Sequence, residues 1–255
     1  MKIVAISVLI FLGGVVSALA LPEDVLKQIV FTQKPGAVVP AGLAFRDETG
    51  APVKLGGYFG KKPVILILGY YRCPMLCSAV LNGLIGGLQD LKEDAGKDFE
   101  IVSVSIDPRE TPALAAAKKG NYLARYARTD AVQGWHFLTG DEPAISQLAS
   151  AVGFKYAYDP DSGQYAHPSG ITILTPAGRV SHYLFGVTFS GRDLRTALAD
   201  AADAKIGSLI QQFFFLCFHY SPLTGKYSGL VMVVVRCMGV AVPLSLVVLI
   251  ARRKA

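Results

Sequence analysis

Cys73-Pro74-Met75-Leu76-Cys77 carries two thiols four residues apart, and the other residues of comparable chemical interest, Cys217, Cys237 and a few histidines and acids, are scattered elsewhere in the chain. Two thiolates on one turn of chain can chelate a soft metal ion or close a disulfide. Pro74 suits the first position of a helix, where its fixed φ fits and its missing N–H costs nothing. Cys73 then falls near the N-cap and Cys77 one turn on, with side chains able to face the same way. Unpaired N–H groups and the positive end of the helix dipole favour thiolate at Cys73, and Arg72 adds a cation beside it. As a redox pair, Cys73 would attack a disulfide and Cys77 would resolve the mixed disulfide. As a metal pair they need a third ligand. His167, in Ala166-His167-Pro168, is the expected one. Two thiolates and an imidazole suit Cu(I), and Cu(II) with a fourth ligand, whereas a structural zinc site ordinarily takes four ligands.

The elements that must position these residues follow from pattern. Val64 to Leu68 is a short, non-alternating Val/Ile/Leu run and predicts a strand buried on both faces. From Leu76, the spacing Leu76, Val80, Leu81, Leu84, Leu88 is helical. The cysteines therefore sit where a strand turns into a helix. Phe99 to Ile106 predicts a second buried strand, with Asp107 at its carboxyl end as a turn-former or an acceptor behind the cysteines. Thr111-Pro112 opens a helix to about Arg128, Trp135 to Leu138 is a short strand, and a helix runs from about Glu142 to Val152. Tyr158 to Gln164 reads as a polar loop before His167. Ile171 to Leu174 and Val180 to Phe185 flank Thr175-Pro176-Ala177-Gly178 as a hairpin, and a helix from Gly191 to about Ala204 closes the domain. Upstream, Leu43 to Arg46 and Val53 to Leu55 form a small hairpin, and Leu21 to Pro40 is expected to be loosely attached. The order β-α-β-α-β-α-β-β-α with the cysteine turn after the first core strand predicts an α/β, thioredoxin-like domain. In such a sheet the loop entering the penultimate strand lies beside the cysteine turn, which is how His167 would reach the sulfurs.

The ends of the 255-residue chain are greasier than a soluble domain. Met1 to Ala20 has Lys2, an apolar run and Ala18-Leu19-Ala20, the pattern of a signal peptide. Gly229 to Ile250 is long enough to span a bilayer, and Arg252-Arg253-Lys254 follow. The positive-inside rule puts that tail in the cytoplasm and the main domain on the opposite, extracytoplasmic side, which in a bacterial cell is the periplasmic face of the inner membrane, the expected location. The layout is thus a signal peptide (1–20), an N-terminal segment (21–39), the thioredoxin-like domain (40–205), a juxtamembrane segment (206–228), a membrane helix (229–250) interrupted by Arg236 and Pro243, and a short tail (251–255). Cys217 and His219 precede the membrane among Phe213, Phe214, Phe215 and Phe218, which read as an interfacial belt. The net charge of +6 is scattered and shows no basic stripe with interleaved aromatics, which excludes a nucleic-acid binder of the usual kind. Met75 is expected to pack, and His136 and His182, each in a strand, to be structural.

Taken together, Cys73-Pro74-Met75-Leu76-Cys77, Ser105-Ile106-Asp107-Pro108-Arg109-Glu110-Thr111-Pro112, Trp135-His136-Phe137-Leu138-Thr139-Gly140 and His167 resemble the Sco/SenC family of copper-binding thioredoxin-fold proteins, over roughly Gly36 to Lys205. The resemblance implies that Cys73, Cys77 and His167 bind copper. It further implies a role in delivering copper to, or reducing the cysteines of, the binuclear copper site of cytochrome c oxidase. The mitochondrial branch has an acid after the motif proline and an Asp before the histidine, where this chain has Met75 and Ala166. The helix near the C-terminus and the Cys217/His219 segment look most like a bacterial branch. A metallochaperone and a thiol-disulfide oxidoreductase are both open at this point.

Overall fold

The computed structural model describes residue 29 and residues 31–73, 76–160 and 162–207, and the side chains of residues 76, 77, 129 and 130 lie outside the description. The expected signal peptide, the membrane helix at 229–250, Cys217, His219 and Met75 all fall outside the described residues, as does the side chain of Cys77. Among the described residues no helix is long and apolar enough to cross a membrane.

The continuous apolar runs become the middle of a five-stranded sheet because each side of it is covered. In chain order the elements are β1 (Ala44–Arg46), β2 (Pro52–Lys54), β3 (Val64–Gly69), α1 (Leu76–Gln89), β4 (Glu100–Ser105), α2 (Pro112–Tyr126), β5 (Trp135–Leu138), α3 (Glu142–Ala151), β6 (Ala157–Asp159), β7 (Gln164–Ala166), β8 (Gly170–Leu174), β9 (Val180–Phe185) and α4 (Gly191–Ala202). The sheet order is β5-β4-β3-β8-β9. β3, β4 and β5 run parallel, and β8 returns antiparallel to both β3 and β9. Alternation along β3 sends Ile65 and Ile67 into one core and Val64, Leu66 and Leu68 into the other. The first core is filled by α1, α2 and α4, the second by α3 together with the upstream hairpin β1–β2, so β3 is buried on both faces.

Local chemistry sets the starts of α2, α3 and α4 as expected, whereas the expected Pro74 start of α1 falls outside the described residues and α1 is described from Leu76. Thr111, Asp141 and Ser190 occupy N-caps, their side chains accepting from the backbone N–H three residues on. The end of α2 differs from the pattern. The helix stops at Tyr126 with Ala127 left-handed, at φ 56°, instead of running to Arg128. Arg128 is drawn away to donate to the carbonyls of Leu88, Leu91 and Glu93 and to pair with Asp94, tying the α1–β4 connection shut. The segment before β1 also departs from expectation. From Phe31 onward it is packed, not loose: Thr32 N–H donates to Gly153 O at 2.7 Å, Val39 N–H to Gly178 O at 2.9 Å, and Val39 is buried. Its apolar residues are spaced irregularly because they plug the edge of a core built by other elements. On α1, Gly83 and Gly87 let the β9–α4 loop lie directly on the helix; a Cβ at Gly83 would sit 1.8 Å from Val187 O, and one at Gly87 2.3 Å from Phe189 O.

Candidate metal centre

The cysteine turn leaves the carboxyl end of β3, the buried central strand, beside the end of β4. Ile106 N–H donates to Gly69 O at 2.8 Å, so the two loops start side by side. What holds the turn beyond that point is a side chain that sequence reasoning assigned no role. Glu110 is buried, and its carboxylate accepts from the backbone N–H of Tyr71 and of Arg72, each at 2.7 Å, and from Ser105 Oγ at 2.6 Å. Three short bonds to a carboxylate are of the charge-assisted kind. They fix the backbone of the two residues immediately before Cys73. Tyr71 is fully enclosed, with its hydroxyl 2.8 Å from Leu138 O and 3.0 Å from Ser103 O, and burial pushes its phenol well above the ordinary value. Cys73 itself is buried, and its N–H donates to Tyr70 O at 3.3 Å.

His167 comes to the same end of the sheet from the opposite direction. β7 ends at Ala166 and β8 begins at Gly170, so His167 opens the loop into the penultimate strand, as the strand order predicts. Its ring is buried, meets Tyr70 edge-on with centroids 5.9 Å apart, and packs against Phe154 at 5.8 Å. A narrow cavity is lined by Tyr70, Tyr71 and Ser78 from the cysteine turn and α1, and by His167, Pro168 and Gly170 from the other side. The imidazole Nδ1 lies 2.9 Å from Pro168 O. A carbonyl only accepts, so in the neutral ring Nδ1 carries the proton and Nε2 the lone pair. That is the tautomer a metal ligand needs, oriented by the kind of outer bond that metal-binding histidines usually make. Aromatic rings wall the imidazole, and a thiol brought to it would complete a donor pair for a soft ion. Among the described residues no three His, Cys, Asp or Glu side chains gather as a metal cage, and the Cys77 side chain lies outside them.

Asp107 stops its strand in an Asp-Pro turn, one of the two expectations, with Oδ1 accepting from the backbone N–H of Arg109 at 3.0 Å; it is not an acceptor for the cysteines, because Arg109 takes up its carboxylate. Its carboxylate takes Arg109 Nε at 2.8 Å on Oδ1 and Arg109 Nη2 at 2.9 Å on Oδ2. Burial pushes the Asp107 carboxyl up, but the hydrogen bonds from Arg109 and the charges of Arg109 and Arg72 outweigh it and hold the group below the ordinary carboxylate value. Beside it opens a cleft of about 380 Å³ lined by Tyr70, Arg72, Asp107, Arg109, Gly163 and Gln164. The expected polar loop from Tyr158 to Gln164 is the turn of a ribbon, β6–β7, in which Tyr158 pairs with Tyr165. Its signal was present, in alternating tyrosines around a glycine turn, but three-residue strands are too short to show a period. His136 and His182 are structural, as expected. His136 Nε2 pairs with Glu100 Oε2 at 3.1 Å at the entry end of β4, and His182 is buried between Ser181 and Asp200.

The fold found in this way is a known one. A putative electron transfer protein from Aquifex aeolicus VF5 matches with a TM-score of 0.59 at 22% identity, covering 69% of this chain and 98% of its own. Arabidopsis thaliana ScoI with copper bound matches with a TM-score of 0.51 at 20% identity, over 68% of this chain and 98% of its own. BsSco, described as a member of the Sco family of cytochrome c oxidase assembly proteins with a disulfide switch, matches with a TM-score of 0.51 at 22% identity, over 68% and 99%. No curated protein matches the sequence. The SCO1/SenC family model matches residues 37–202, the same stretch that builds the sheet, the cysteine turn and the histidine loop. That match spans more than half of the chain, and the chain belongs to the SCO1/SenC family.

Proposed function

We propose that this protein carries copper on Cys73, Cys77 and His167 and hands it to a client by ligand exchange, at the outer face of the membrane that holds its C-terminal segment. The observation that carries the reading is the Nδ1–H bond of buried His167 to Pro168 O, which sets Nε2 as the lone-pair nitrogen in a cavity shared with the cysteine turn. In transfer, client thiolates replace the thiolates of Cys73 and Cys77 one at a time, and Cu(I) moves without a change in oxidation state. The family match and the copper-bound ScoI relative support copper as the cargo. BsSco's description as one of the cytochrome c oxidase assembly proteins makes the binuclear copper site of that oxidase the first client to test. The signal-peptide pattern of Met1 to Ala20 and the apolar run from Gly229 to Ile250 support a periplasmic domain tethered to the inner membrane.

A second reading has its own support in the strand-to-helix placement of the cysteine turn and in the disulfide switch of BsSco. The Cys73 thiolate attacks a client disulfide and releases one client thiolate. Cys77 then attacks Cys73 Sγ, releasing the second client thiolate and leaving a Cys73–Cys77 disulfide. His167→Ala separates the two. A large loss of Cu(I) affinity with reductase activity retained supports the carrier; unchanged affinity sinks it and leaves dithiol exchange.

A further inference from the structure

The ribbon β6–β7 runs straight into His167, yet it is not part of the main sheet. It has three residue pairs of its own and no ladder to any of the five strands. A two-stranded ribbon of this size is not stable alone in water, so side chains must hold it in place, and where it sits fixes where His167 sits. Its inner face is Tyr165, whose ring packs on Tyr70 at 5.7 Å and on Tyr158 at 5.1 Å. Tyr156, just before β6, packs on Tyr165 at 5.9 Å and donates its hydroxyl to Glu142 at 3.1 Å.

Over these rings lies Arg109. Its fork is filled by Asp107, which leaves Nη1 to donate to Tyr158 OH at 3.3 Å and the guanidinium face to cover Tyr158 at 4.8 Å and Tyr165 at 5.7 Å. An exposed ion pair contributes little by itself, and Arg109 is 54% exposed. Its consequence lies in what it joins. The short loop from Ser105 to Glu110 holds the cysteine turn through Glu110 and the histidine ribbon through Arg109, so one rigid loop sets the two halves of the site against each other.

We infer that Arg109 is a positioning residue for His167: pinned by Asp107, it clamps the Tyr158 and Tyr165 rings and so docks ribbon β6–β7 and the imidazole that follows it against Tyr70 and the cysteine turn. The inference rests on the reading of His167 as a ligand. A lysine there would keep the charge but lose the bidentate fork and the planar face.

The test uses the full-length protein with Arg109→Ala and Arg109→Lys, each in the wild-type and the His167→Ala background. Arg109→Ala is expected to weaken Cu(I) binding about tenfold, the scale of an outer-shell loss, with Arg109→Lys recovering only part. In the His167→Ala background Arg109→Ala should cost nothing more, and the reduction potential of the Cys73/Cys77 pair should not move. Amide hydrogen exchange in residues 157–166 of the metal-free protein should quicken in Arg109→Ala. Equal copper losses in both backgrounds, or exchange in the ribbon unchanged, overturns the inference. The exchange measurement reads the clamp without copper, so a failure of the clamp is distinct from a failure of the ligand reading, which shows as a His167→Ala protein that binds Cu(I) as tightly as the wild type.

Discussion

Two buried histidines sit at opposite ends of the same sheet, and their surroundings differ in kind. The registers place Gly69, Gly170 and Phe185 at one end and Val64, Leu174 and Val180 at the other. His167 belongs to the first end, among Tyr70 and Phe154, with one nitrogen bonded to a carbonyl of its own loop. His182 belongs to the second, in β9, where its Nδ1 meets Ser181 Oγ at 2.8 Å and its Nε2 lies 3.5 Å from Asp200 Oδ2. Ser181 Oγ in turn donates to Lys205 O, and Gly207 N–H donates to Ser181 O, so His182 lies under the last described residues. One histidine is wrapped in the protein's own polar groups and closes the fold; the other is walled by aromatics and faces a cavity. Position in a strand or a loop does not separate these roles. What separates them is which groups surround each ring: Tyr70, Phe154 and the Pro168 carbonyl at His167, Ser181 and Asp200 at His182.

The comparison breaks most directly by exchanging the two losses. His167→Ala should lower Cu(I) affinity by more than the roughly 10- to 100-fold that an outer-shell partner costs, with little change in urea midpoint. His182→Ala should do the opposite, leaving affinity intact and costing about 2 kcal/mol in urea denaturation, because Ser181 and Asp200 lose a buried partner. Copper affinity that falls equally in both variants would dissolve the distinction.

The cysteine end can be loosened without touching a ligand. Gly83→Ala drives a methyl into Val187 O and is expected to cost about 1–3 kcal/mol in urea denaturation. Gly86→Ala on the same helix meets no atom within 4 Å and is expected to add about 0.5–1 kcal/mol. Glu110→Ala strands two backbone N–H groups and should cost about 1–3 kcal/mol, together with a shift in the reduction potential of the Cys73/Cys77 pair if the turn relaxes.

The smallest effect is that of pH at the other end. Burial pushes His182 below its ordinary value of 6.5, more than the Asp200 charge raises it. With the folded value the lower of the two, the unfolded chain takes up the proton first. The stability from a neutral His182 is therefore fully present above about pH 6.5 and declines as the pH falls toward the folded value. The slope is at most about 1.4 kcal/mol per pH unit. His182→Gln should flatten that slope in urea midpoints measured from pH 7.5 to 5.5.

Much of this was readable in the chain. The runs at Val64 and Phe99, the cap at Thr111, the Thr175 to Gly178 turn and the cysteine spacing state their structures locally, through burial period, cap chemistry and turn geometry. The motif as a whole pointed to the family that the family model then matched. Glu110 was in plain view within that motif and carried no role there. Its bonds run to Tyr71 and Arg72, nearly forty residues earlier, a pairing with no local signature.

The amino-acid order alone determined that a cysteine pair follows a buried strand and that a histidine precedes a late one, because hydrophobic period and proline chemistry act over a few residues. Only the tertiary structure decided that a buried carboxylate and an arginine on one short loop hold those two places together. Such groups are chosen by desolvation and distance, and neither exists until the sheet has formed.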